Sequence, residues 1–249
     1  VPTFFNPPPL QEPNQWPRLK KDLERALHFL SGDIWDFNFQ IGGYPPPEPY
    51  CYPDRHKQIS LEELDCVCLF SGGMDSAIGA IDLLAQERAP LLVSHSYKGD
   101  KKHQDLIAKE LKGQYSRFEI NADPHLYTRK TDITMRTRSF NFLAFAAVGA
   151  SAVQTVSQRE KIELFIPENG FISLNAPLTP RRTGTLSTRT THPHFIDSIQ
   201  DIFDQIGIPC KIVNPYQFKT KGQMAAECQN RQLLAKIADN TVSCSHWKR

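Results

Sequence analysis

The chain has 249 residues, with 29 Lys or Arg against 27 Asp or Glu and a formal net charge of +2. That is enough chain for one large α/β domain with an appendage and a sizeable core. The balanced charge argues against a broadly basic nucleic-acid face, and no basic-then-apolar leader opens the sequence, so the cytoplasm is the expected location.

Residues 1–16 are rich in proline and are expected to hug a surface or be loosely ordered. Pro17 opens an amphipathic helix with Leu19, Leu23, Ala26, Leu27 and Leu30 at helical spacing, stopped by Gly32-Asp33. From Ile34 to Ile41 apolar and polar residues alternate, which predicts a half-exposed strand. Gly42-Gly43-Tyr44-Pro45-Pro46-Pro47 then breaks structure. Residues 1–60 read as an N-terminal extension and 61–249 as the main domain. Because the chain starts at Val1 and stops at Arg249, it also reads as a fragment of a longer polypeptide.

From Cys66 onward short apolar runs alternate with helix-length segments. The strands are expected at Cys66–Phe70, Leu91–Ser96, Ser116–Ile120, Ile162–Ile166 and Cys210–Val213. The helices are expected near 74–87, 102–113, 137–157, 194–206 and 221–238. This is the pattern of βαβ units: an α/β fold with a doubly wound parallel sheet, right-handed crossovers and a ligand beyond the carboxyl ends of the strands. The uncharged run from Ser139 to Gln158 contains Asn141, Ser151, Gln154 and Ser157, and reads as a buried helix rather than a membrane span. The six cysteines form no CxxC pair. Cys66 and Cys68 should share one face of a strand as small core residues in a reducing compartment.

Several strings can carry chemistry. Ser71-Gly72-Gly73-Met74-Asp75-Ser76 joins the first strand to a helix start, where free N–H groups and the helix dipole attract an anion. Ser71 and Ser76 add hydroxyls, and Asp75 can cap the helix or orient the loop. The four-residue spacer and Gly-Lys-Ser/Thr end of a Walker A loop are missing. Lys221, in Lys219-Thr220-Lys221-Gly222, sits at a helix start, where its charge can neutralise a leaving phosphate group. Arg138, in Arg136-Thr137-Arg138-Ser139-Phe140-Asn141, offers a planar fork for phosphate or carboxylate oxygens. Glu168 and Asn169 follow the fourth strand. There a carboxylate can accept from the amine and ring N–H of a guanine-like base. Arg189, Thr191 and His192 belong to a Thr- and Arg-rich loop suited to lining a pocket, with His192 able to shuttle a proton. His103 follows the second strand, where a nucleotide contact is expected. Each string also has a plain structural explanation: a β–turn–α connection, a solvated basic helix start, a surface arginine pair, an Asn-Gly turn, an exposed histidine.

Ser-Gly-Gly-Met-Asp-Ser after a hydrophobic strand resembles the PP-loop of the ATP pyrophosphatase superfamily. The resemblance implies a doubly wound fold of the HUP-like type and cleavage of ATP between its α- and β-phosphates, with magnesium. By resemblance, Ser71, Gly72, Gly73, Asp75 and Ser76 would hold pyrophosphate, and Lys221 would match the late lysine motif of these enzymes. Three runs (71–84, 167–178 and 188–193) are similar to QueC-like proteins, the 7-cyano-7-deazaguanine synthases. Among these they are nearest to the QatC group of the Qat anti-phage defence system. The Arg138 stretch departs from the QueC pattern, because Ser139-Phe140 separates the arginine from Asn141. What the resemblance implies is an ATP-dependent, AMP-forming ligase. It would adenylate a 7-deazaguanine carboxylate and pass it to an amine, either ammonia or an amine of a partner protein from the same defence operon. Cys244 would be the first ligand of a structural zinc completed beyond Arg249. Two alternatives stay open: a housekeeping 7-cyano-7-deazaguanine synthase, and a non-catalytic nucleotide-binding subunit of a defence complex. Neither a membrane nor a nucleic acid is expected as a direct partner.

Overall fold

The computed structural model of the chain describes residues 15–39, 59–96, 99–121, 137–174 and 189–242. The five apolar runs form strands β1 (Cys66–Leu69), β2 (Pro90–His95), β3 (Ser116–Ile120), β4 (Ile162–Phe165) and β5 (Cys210–Val213). They pair in the spatial order β3-β2-β1-β4-β5, and every pairing is parallel. A parallel sheet must be covered on both faces, and strand alternation shows how this one is. Val67, Leu91, Val93 and Leu164 point into one core, shared with helices α1 (Trp16–Ser31), α4 (Arg138–Ser157) and α6 (Pro193–Gln205). Cys66, Cys68, Leu92 and Phe165 point into the other. That second core takes in α2 (Met74–Ala85), α3 (Asp100–Ala108), α7 (Lys221–Glu227) and α8 (Arg231–Ile237), while α5 (Gly170–Ser173) is a single turn after β4. The architecture is α/β and Rossmann-like, with the strand order reversing between β1 and β4.

Helix α1 forms as its periodicity predicts. Leu19, Leu23, Ala26, Leu27 and Leu30 are all buried, and Gly32 (φ 72°) closes the helix with its N–H donating to the His28 carbonyl at 2.7 Å. The stripe packs on α6 and joins the same core as the sheet. Helix α4 has the length and apolar composition of a membrane span. It packs against β1, β2 and β4, the place expected of a buried core helix.

Two expected elements differ. Ile34–Phe39 pairs with no strand, and Ile34 is 94% exposed. The alternation there serves a ladder of rings instead: Trp35 stacks on Phe37, Phe37 on Phe39 and Phe39 on Trp16. The Phe37 N–H donates to the Glu24 carboxylate on α1, so the segment is fastened to a helix rather than a sheet edge. The single helix expected over 221–238 is broken between α7 and α8. Cys228 takes an extended conformation, the Gln229 N–H donates to Asp82 at 2.8 Å, and the Asn230 side chain caps the next helix by accepting from the Leu233 N–H.

One close approach fixes how α2 sits on the turn after β4. A Cβ on Gly79 would lie 2.2 Å from Pro167 Cγ. Gly79→Ala should therefore destabilise the protein by about 1–3 kcal/mol through overpacking. A lowered urea midpoint at an unchanged m-value would show it.

Candidate functional site

The carboxyl ends of β1, β4 and β5 converge where the strand order reverses. After β1, Gly72 adopts φ 87°, a left-handed conformation that favours glycine. A Cβ there would crowd Gln104 Cγ at 3.1 Å. The loop is closed by hydroxyls. Ser71 Oγ accepts from the Gly73 N–H at 3.3 Å, lies 3.1 Å from Ser76 Oγ, and Ser76 Oγ donates to the Gly73 carbonyl at 2.9 Å. Gln104, fully buried, supports the loop from behind, donating to the carbonyls of Ser71 and His95. No described side chain caps α2, which leaves its first N–H groups without a side-chain acceptor, an arrangement that can take an anion.

Asp75 does not cap its helix. Its carboxylate, only 7% exposed, accepts from the Asn169 amide at 2.5 Å and the Asn169 backbone N–H at 3.1 Å, and pairs with Lys221 Nζ at 2.8 Å. Asn169 is delivered by the end of β4, where its own Oδ1 caps α5. Lys221 is delivered by the start of α7, fixed by a capping box between Thr220 and Gln223. A lysine opening a helix faces the wrong end of the dipole, and Asp75 offsets that cost.

Asn214, just past β5, was not among the expected site residues. It donates to the Glu168 carbonyl at 2.9 Å and to Ser173 Oγ at 2.8 Å, holding the loop that carries Glu168. The Asn-Pro turn signal at 214–215 was the only hint of it.

A cavity of about 290 Å³ opens at this edge, lined by Ser71, Ser76, Arg138, Glu168 and Thr191 among others. Burial of the Glu168 carboxyl, with the Asp75 carboxylate nearby, pushes its pKa up to about 8, against the opposing pull of Lys221. Arg138 pairs through Nη2 with Asp100 and lies over the Phe142 ring at 5.7 Å.

Other expected site residues lie elsewhere. Arg189 donates to the Phe29 carbonyl at 2.7 Å and covers the Phe29 ring at 5.0 Å. His192 caps α6, its Nδ1 accepting from the His194 N–H, and packs on the same ring. Burial, then the neighbouring His194 and Arg189, lower its pKa, so near neutral pH it stays an uncharged cap. These two residues fasten α1 to the α6 start, and of their loop's expected contacts Thr191 lines the cavity. His103, by contrast, sits beside the loop, its Cβ 3.7 Å from where a Cβ on Gly72 would stand, and its Nδ1 bonds to the Asn240 carbonyl at 2.8 Å. Cys244 lies outside the described residues, and among those described no group of three metal-ligating side chains occurs. Cys228 is buried, which pushes its thiol up to about 11.

No protein-family model, curated protein or solved structure matches the chain. Function must then come from the chemistry of the site itself.

Glu168 carries a pH signature. The folded state holds its proton to about pH 8, whereas the unfolded chain releases it near 4.5. Stability from this group is complete below pH 4.5 and lost as pH rises toward 8. Glu168→Gln should remove this component, so the difference in urea midpoint between wild type and variant should change between pH 4.5 and 8 and level off above.

Proposed function

We propose that this chain is a QueC-like, PP-loop, ATP-dependent ligase of the cytoplasm. It adenylates a 7-deazaguanine carboxylate, releases pyrophosphate, and passes the acyl group to an amine in anti-phage defence. The observation that carries the reading is that Ser71 and Ser76, the two ends of the Gly-Gly loop, line one cavity with Glu168. One end suits phosphate oxygens; the other suits a ring edge rich in N–H donors.

The roles follow from the chemistry. A substrate carboxylate oxygen attacks the α-phosphorus of ATP, and the bond from that phosphorus to the oxygen bridging to the β-phosphate breaks. Pyrophosphate departs toward the first turn of α2, where Ser71, Gly72, Gly73 and Ser76 present donors. Lys221, tied to Asp75, supplies positive charge beside that loop. Glu168 accepts from the base edge; two N–H donors stabilise its ionised form and draw its raised pKa down. Arg138, paired with Asp100, lines the same cavity. The amine then attacks the acyl carbon, AMP leaves and the amine nitrogen loses a proton. Magnesium, when bound, neutralises phosphate charge, carried largely by the nucleotide's own oxygens. A structural zinc beginning at Cys244 belongs to the same reading.

The test incubates the protein with Mg-ATP and 7-carboxy-7-deazaguanine, with and without ammonia or candidate partner proteins. AMP and pyrophosphate should form in equal amounts and only with the acid present. Lys221→Ala should slow their release by about 10²–10³-fold. A nitrile product with ammonia alone would identify the housekeeping synthase. Nucleotide binding with AMP at background for every deazaguanine acid would overturn the ligase.

A further inference from the structure

Part of the cavity wall carries three donors that find no acceptor among the described residues. Among those residues, Arg138 Nε, Ser139 Oγ and Thr191 Oγ1 are buried without a hydrogen-bond partner, and all three residues line the cavity. Thr191 is 9% exposed, so its hydroxyl has little access to bulk water. A buried donor without an acceptor is costly, and buried polar groups are seldom left so. Arg138 and Ser139 also form the first turn of α4, a 20-residue helix whose N-cap, Thr137, makes no side-chain cap, so the positive end of its dipole faces the same wall.

We propose that this wall is a carboxylate subsite, separate from the Ser71–Ser76 loop. Arg138 Nε, Ser139 Oγ and Thr191 Oγ1 donate to the oxygens of a planar, singly charged acid. Its identity as the acid of a 7-deazaguanine rests on the function proposed above. The charge balance favours a carboxylate over a phosphate. Asp100 lines the same cavity and is paired with Arg138, so the wall carries dipoles and donors rather than a net cation. A doubly charged phosphate would meet Asp100, whereas a monoanion can be held by three donors and the helix end. Phe142, Leu143 and Ile196 add apolar surface on which the ring bearing the carboxylate can lie.

Calorimetric titration in the absence of ATP tests the subsite on the full chain. Two acid–amide pairs are the probes: 7-carboxy-7-deazaguanine with its 7-amide, and indole-3-carboxylate with indole-3-carboxamide. Each acid should bind more tightly than its amide. Thr191→Val and Ser139→Ala should each weaken the acids by about ten-fold and leave the amides within about two-fold, as expected for losing one hydrogen bond to a charged group. Thr191→Ser keeps the hydroxyl and should keep the acid affinity, which separates a lost donor from a disturbed fold. If indole-3-carboxylate shows this dependence while the deazaguanine acid does not bind, the subsite stands and the proposed substrate falls. The subsite is overturned if neither acid binds, if amides bind as well as acids, or if Thr191→Val binds the acids like wild type.

Discussion

Everything at the carboxyl edge of the sheet depends on one buried carboxylate. Asp75 stands in the first turn of α2, on the helix that presents the Gly-Gly loop, and its two oxygens hold residues from two other crossings of the chain: Asn169 after β4 and Lys221 after β5. Asn169 lies 94 positions beyond Asp75, and its segment is also tied to that of Lys221 through the backbone, the Gly170 N–H donating to the Lys219 carbonyl at 2.7 Å. Buried, Asp75 accepts from an amide and pairs with an ammonium. The pairing offsets the unfavourable place of Lys221 at a helix start and brings a cation beside the Gly-Gly loop. Asn214 does the same work for the next loop, tying Glu168 and Ser173 to the end of β5.

The strands were legible because a buried parallel strand is written as a continuous apolar run, and all five lie within a residue or so of where those runs predicted. Helix α1 was legible from its stripe of leucines. What escaped detection was tertiary. Ile34–Phe39 alternates as a strand does, but alternation only states that one side is apolar; here the rings find each other and Trp16 rather than a sheet. The break between α7 and α8 depends on Asp82, far away on α2, accepting from Gln229. At the site, Glu168 and the Ser71–Ser76 loop could be picked out because strand ends of a doubly wound sheet face the ligand side. Arg189 and His192 looked equally suitable, since composition does not tell which way a loop turns. In the fold they clasp Phe29 and cap α6, jobs set by a helix some 160 positions earlier.

The two cores divide labour. The α1, α4 and α6 side is almost wholly apolar, and α4 lies across three strands as a rigid floor. Its amino end supplies Arg138 and Ser139 to the cavity, so groups there are fixed by a helix anchored along most of its length. The α2, α3, α7 and α8 side is cut by polar ties, with Tyr216 donating to Asp82 at 2.6 Å as well as the Asp75 cluster. Both Cys66 and Cys68 sit inside this second core, where burial drives their thiols far up and leaves them inert.

The Gly72 carbonyl accepts from the N–H of Val242 at 3.0 Å, and Val242 lines the cavity. Residue 72 is therefore finished by residue 242. During synthesis the chain emerges in order, so β1 and α2 can be made long before the strand, the amide and the lysine that complete them. A ribosome that has released the first two-thirds of this sequence has released the Gly-Gly loop without Lys221, without Asn214 and without the backbone donor that closes Gly72. The site becomes whole only with the last part of the chain, and an unfinished or clipped polypeptide carries the loop without its surroundings.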